Sequence, residues 1–323
     1  MRRFWFGLVL CSAMAMPAQA QPPVFSLPLD CATAPACLLQ NYVDLDPSPQ
    51  RRDPFCGEAT FDGHKGTDIR VRNISELEQG IPVLAMADGT VLRTRDGMGD
   101  RMTETKAHRE AVKGQECGNG LVVNHGAGWT SQICHLKKGS VKVRRGDKVK
   151  RGAPIAHMGL SGDTAFPHVH VTIRQGDTVV DPMTGKPVGA ACSDAPGKSL
   201  WTFEAAKILA ERDSPLIDSG FAGGPVKGLQ LRKGEKPQPN PGGPVVFYAQ
   251  FKNLLKGDLV SIDLYERGTR TPVASHTSEP LDRAKATYTA YAGRRSPGFE
   301  PDAYVATVTL LRNGKAVFKR EFD

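Results

Sequence analysis

From His64 to about Val180, short β-prone runs alternate with glycine-bearing turns; examples lie at 81–86, 89–93, 121–124, 130–135, 154–157 and 169–173. Runs of this length, separated by turn signals, predict antiparallel sheet. In Phe166-Pro167-His168-Val169-His170-Val171-Thr172-Ile173 the alternation turns His168 and His170 to one face and packs Val169 and Val171 behind them. A polar stretch, 94–116, breaks the rhythm and is expected to be an inserted surface loop. Residues 200–211 predict a helix, capped by Ser199, whose apolar face comprises Leu200, Phe203, Ala206, Ile208 and Leu209.

Glycines and prolines then dominate 216–244, which reads as a linker from helix to a second unit. Beyond it, 245–251, 259–265, 287–292, 304–311 and 316–322 read as strands spaced by turns, the pattern of a small Ig-like β-sandwich. The expected division is a signal peptide (1–20), a Cys/Pro-rich opening segment (21–62), a sheet domain (63–215), the linker (216–244) and the sandwich (245–323). The fold class is mainly β.

Composition adds the compartment. Arg2 and Arg3, the mostly apolar run from Phe4 to Met16 and Ala18-Gln19-Ala20 form a secretory signal cut before Gln21. The run is too short for a membrane span, so export without membrane insertion is expected. The periplasm is the favoured destination, and secretion or attachment to a cell wall the alternative. Seven cysteines become six once Cys11 leaves: Cys31, Cys37, Cys56, Cys117, Cys134 and Cys192. An even number in an exported chain predicts up to three disulfides; only Cys31 with Cys37 is favoured, by proximity. The net charge of +8 suits an anionic polymer. No nucleic-acid motif accompanies it, so no nucleic-acid partner is expected.

Three histidine-bearing segments carry the candidate chemistry. Gly63-His64-Lys65-Gly66-Thr67-Asp68 puts an imidazole and a carboxylate on one face of an extended chain, with Gly66 leaving space between them for an ion. His168 and His170 share a strand face, and His135 ends the strand after Trp129. Taken singly, each is a common surface or structural feature. Their order, His-x-x-x-Asp, a lone His and His-x-His, resembles the lysostaphin/LytM-type zinc endopeptidases over about His64 to Ile173. The segments Ala87-Asp88-Gly89-Thr90-Val91, Gly118-Asn119-Gly120-Leu121 and Gly159-Leu160-Ser161-Gly162 extend the likeness. Ile133-Cys134 stands where many members have Tyr-Ala.

The resemblance implies one zinc per chain held by His64, Asp68 and His170, with His168 as general base. It implies that His135 steadies the oxyanion or orients water. It also implies a peptidoglycan substrate, with D-alanyl–diaminopimelate cross-links as the favoured bond. The alternative is a non-hydrolytic activator of other wall hydrolases, or a wall-binding protein. Members of the activator kind have lost zinc ligands or catalytic histidines, and all five positions are present here. Asp88, Asn119 and Asp163 are further candidates for lining the cleft.

Overall fold

The computed structural model describes residues 21–31, 37–192, 197–211, 214–295, 300 and 302–323. The expected signal peptide lies outside the described residues. In chain order the first part holds β1 (Leu38–Asn41), β2 (Thr67–Arg70), α1 (Ile74–Leu77), β3 (Pro82–Leu84), β4 (Gly89–Arg95), α2 (Lys106–Ala111), β5 (Asn119–Gly126), β6 (Trp129–Leu136), β7 (Lys148–Val149), β8 (Pro154–His157), β9 (His168–Gln175) and β10 (Thr178–Val180). An eight-stranded sheet runs β1-β2-β9-β6-β5-β4-β7, with β10 paired to β9, and β3 and β8 form a separate ladder. Its pairings are antiparallel.

Period two decides what each strand buries. Val169, Val171 and Ile173 of β9 and Ile69 of β2 enter the core. The alternate positions, His168, His170 and Asp68, share the other face. The opening segment joins the same core through Phe25, Leu29, Leu39 and Tyr42, and β1 forms the sheet edge beside β2. Residues 21–62 are therefore built into the sheet domain, where the sequence had suggested a separate stapled segment. The disulfides are Cys31–Cys37, Cys56–Cys192 and Cys117–Cys134.

Two other expectations change. The 94–116 stretch contains the end of β4 and α2, capped by the Thr105 side chain, and it buries Met102 and Thr103. The predicted helix starts later, as α3 (Phe203–Glu211). Thr202 Oγ1 accepts from the Ala205 amide, whereas Ser199 Oγ accepts from Trp201 and closes a turn. Ala205 and Leu209 are buried, Ala206 and Ile208 pack beside them, and Phe203, expected on the apolar face, is 79% exposed.

The second part contains β11 (Leu216–Ala222), α4 (Gly228–Lys233), β12 (Val245–Leu254), β13 (Leu259–Glu266), β14 (Ala274–Thr277), β15 (Lys285–Arg294), β16 (Tyr304–Arg312) and β17 (Lys315–Phe322). Sheets β11-β12-β15 and β14-β13-β16-β17 face each other. Val245, Phe247, Ala249 and Phe251 of β12 meet Val260, Ile262 and Leu264 of β13 and Ala306, Val308 and Leu310 of β16. Seven strands in sheets of three and four match the count of the smaller Ig-like sandwiches. The linker expected at 216–244 is corrected, since its first seven residues are β11. Gly220 signalled a break, yet it pairs with Tyr248 in the ladder, because backbone groups alone supply those bonds.

Candidate active site

The register of β2 on β9 sets Asp68 against His170 and Arg70 against His168. Pairing of β6 with β9 brings Cys134 beside His170, so His135 arrives from the other side. His64 comes from the turn before β2. The five residues picked out in the sequence thus line one cleft of about 840 Å³.

Three donor atoms converge. His64 Nε2 lies 3.2 Å from Asp68 Oδ1 and 3.1 Å from His170 Nδ1, and His170 Nδ1 is 2.8 Å from Asp68 Oδ1. A tetrahedral ion bonded at about 2.0–2.1 Å places its ligands about 3.3 Å apart. The triangle is near that size. His64, Asp68 and His170 can therefore hold a metal ion. The space beside Gly66 is used otherwise than the sequence suggested. A Cβ there would lie 2.5 Å from His170 Cε1 and Nε2, so the glycine makes room for the imidazole.

Backbone carbonyls choose the tautomers. A carbonyl only accepts, so His64 Nδ1–H donates to Tyr42 O at 2.6 Å and leaves Nε2 as a lone pair. His135 donates from Nδ1 to Ser161 O at 2.8 Å, and His168 from Nδ1 to Phe166 O at 2.8 Å. His170 holds the reverse orientation, with Nε2 at 3.0 Å from Thr172 Oγ1 and Nδ1 in the triad. Partners of this kind fix ring orientation at metal sites. The His135 and His168 rings lie 4.5 Å apart by centroid, with His168 Nε2 3.7 Å from Asp68 Oδ1.

Burial raises the pKa of Asp68, but the neighbouring histidines, with hydrogen bonds from His170 and His64, outweigh it and hold the carboxyl well below the usual range. Burial lowers the pKa of His168. Burial, then His168 and His170, lowers that of His135 well below the ordinary imidazole value. Both rings are thereby kept neutral, with Nε2 able to accept a proton or a hydrogen bond. For His64 burial is outweighed by Asp68, and the pKa rises.

His135 has φ +63°, a left-handed conformation uncommon for a residue with a side chain. Its amide donates to Cys117 O, its carbonyl accepts from Gly159, and the preceding Cys134 is bonded to Cys117. The disulfide and both backbone bonds hold the ring where the chain alone would not.

Of the other candidates, Asp163 lines the cleft. Asp88 instead pairs with Lys150, and buried Asn119 binds Met98 and Leu136 carbonyls. His125 bridges Asp88 O and Ser131 Oγ. Sequence reasoning missed Arg70, fully buried, with its guanidinium 4.5 Å from the Phe166 ring centroid, while that ring lies 4.5 Å from His168. Period two from Asp68 would have found it. The Tyr42 and Ser161 carbonyls leave no trace in side-chain pattern.

An antiparallel sheet domain gathering two imidazoles and a carboxylate beside two further imidazoles is, as a class, a domain that can hold a metal ion next to groups able to accept a proton. Residues 62–182 match the model of Peptidase family M23. Among curated relatives, an uncharacterized metalloprotease of Haemophilus influenzae is 31% identical over 144 residues, 45% of this chain and 25% of that protein. Peptidoglycan DD-endopeptidase ShyB of Vibrio cholerae is 29% identical over 164 residues, 50% of this chain and 30% of that protein. The chain thus spans about a quarter to a third of the length of these relatives. A crystal structure titled as a zinc containing peptidase from Vibrio cholerae shares 25% identity, covering 53% of this chain and 41% of that chain, with a TM-score of 0.34.

Proposed function

We propose that the protein is a zinc-dependent endopeptidase that hydrolyses peptide cross-links of peptidoglycan, D-alanyl–diaminopimelate bonds in particular. The observation that carries this reading is the convergence of His64 Nε2, Asp68 Oδ1 and His170 Nδ1 beside two imidazoles whose Nε2 atoms are unprotonated. Two imidazoles and one carboxylate suit zinc and leave one tetrahedral position open. When bound, the ion supplies Lewis acidity to the scissile carbonyl and lowers the pKa of water. His168 takes the water's proton at Nε2, because Phe166 O occupies its Nδ1–H. The same proton would then pass to the departing amine. His135, neutral and with Nδ1–H given to Ser161 O, presents an acceptor. That favours orienting the water over donating to an oxyanion. The relative named as a peptidoglycan DD-endopeptidase supports peptidoglycan as substrate, and the signal-like segment expected at 1–20 supports export to the periplasm. Among the described residues no helix is long and apolar enough to cross a membrane.

The test is a pair of variants in the purified full chain. His64→Ala should lose bound zinc by elemental analysis. His168→Ala should keep about one zinc per chain and lose hydrolysis by a factor on the order of 10² or more. Full activity in His168→Ala would remove it from the chemistry, and zinc retention unchanged in His64→Ala would remove the ligand set.

A further inference from the structure

The cleft that holds the histidines is lined from both parts of the chain. Asn253, Leu254, Leu255, Ala284, Lys285 and Ala286 of the sandwich share it with His64, Asp68 and His170. The docking that brings them there is specific. Gln40, buried in β1, donates from Nε2 to Asn253 Oδ1 and to Ala286 O, each at 3.1 Å. Asn253 returns a bond from Nδ2 to Gln40 O. Gln40 Oε1 in turn accepts from Arg70 Nη1 at 2.9 Å, two residues from Asp68. Asn253 adopts φ +53°, a left-handed conformation that asparagine tolerates better than most residues with a side chain.

The charges of the cleft indicate its occupant. Arg51 is paired with Glu58 and Arg109 with Asp163. Arg174 bonds the Gln132 amide oxygen and Lys65 is exposed; among the described residues neither has an ion pair. Lys285 lines the cleft, while its partner Asp282, 73% exposed, does not. Set against Asp68 and Glu116, which also line the cleft, Lys65, Arg174 and Lys285 leave a surplus of one positive charge, which suits a ligand with carboxylates.

We propose that the sandwich is a wall of the substrate site, and that residues 253–255 and 284–286 hold a carboxylate-bearing peptide arm, with Lys285 as the reader of its carboxylate. The identity of the ligand as the peptide to be cleaved rests on the peptidase reading above; the wall itself rests on the docking geometry. An arriving carboxylate takes the place of solvent-exposed Asp282 on Lys285.

The test uses the metal-depleted full chain titrated with a cross-linked muropeptide bearing free carboxylates and with its amidated counterpart, so that binding is read without turnover. The wild type should bind the free acid at least about tenfold tighter than the amide. Lys285→Glu should erase that preference, and Lys319→Glu, the same charge change on β17 outside the cleft, should preserve it. Asn253→Gly keeps the backbone conformation, since glycine accepts positive φ, and removes the latch; it should weaken binding of both peptides severalfold. Equal affinity of wild type and Lys285→Glu for the free acid, or no preference in the wild type, overturns the proposal. Turnover of the zinc-loaded wild type is scored separately. Inert wild type with the binding pattern intact would sink the peptidase reading and leave the wall standing. Active wild type with KM unchanged in Lys285→Glu and Asn253→Gly would do the reverse.

Discussion

At the residue scale the site depends on absences as much as on ligands. Gly66 has no side chain where the His170 ring passes, and a methyl group there would sit 2.5 Å from two ring atoms and from Val171 O. Gly66→Ala should therefore displace His170 and cut zinc stoichiometry well below one per chain, read by elemental analysis; unaltered zinc would show that the ring has room to spare. Asp181 offers a pH-dependent prediction remote from the site. Burial raises its pKa to about 6, against the hydrogen bonds from Thr184. The folded state then holds a proton that the unfolded state has released between about pH 4 and 6, so stability falls as pH rises through that window and the penalty is complete above it. A rise from about 3.9 to about 6 corresponds to roughly 3 kcal/mol. Asp181→Asn should raise the melting temperature at pH 7.5 and have little effect near pH 3.5. Equal shifts at both pH values would contradict the assignment. Side-chain chemistry at this scale was partly legible: the order of the histidine motifs, through the resemblance it carries, picked out five candidates that share one cleft. Their anchors were not, because Tyr42 O, Ser161 O and Phe166 O are backbone atoms that any residue could supply.

At the element scale, alternation of apolar residues carried most of the information. It marked β9, whose Val169, Val171 and Ile173 are fully buried, and every core strand of the sandwich. It failed where burial does not follow alternation. Strand β14 is largely exposed, with polar Ser275, His276 and Thr277, and β11 hides behind Gly220. Pairing in the ladder, rather than apolar content, makes both of them strands. Disulfides add constraints that only three-dimensional proximity reveals. Cys56–Cys192 closes a sequence separation of 136 residues, and Cys117–Cys134 one of 17. Loops of the shorter size are stabilised by about 3 kcal/mol when closed. Thiol titration of the unfolded, unreduced mature protein should find none of the six cysteines free. Reduction should loosen His135 as well as lower stability, so activity should fall at temperatures where the fold persists. Several free thiols would count against the pairing and against the proposed export.

At the scale of the whole molecule, the sheet domain and the sandwich are joined through buried polar groups that a linear reading could not bring together. Gln40 and Asn253 are 213 residues apart in the chain. Gln40→Ala would leave Arg70 Nη1 and Asn253 Oδ1 without the Gln40 side chain, while Asn253 Nδ2 keeps the Gln40 carbonyl; the loss is on the order of 1–3 kcal/mol per orphaned group and should lower the unfolding midpoint of the full chain accordingly. An unchanged midpoint would mean that water replaces those bonds without cost. The M23 match ends at residue 182, and the sandwich, which lies beyond it, supplies part of the cleft's lining. The central claim, that this cleft cuts peptide cross-links with the help of a metal, is tested most directly on purified sacculi, with the released muropeptides identified by mass. Wild-type protein should convert cross-linked dimers to monomers by cleaving the D-alanyl–diaminopimelate bond, cease after chelation and resume on addition of zinc. Dimers left intact by the zinc-loaded protein would contradict the account.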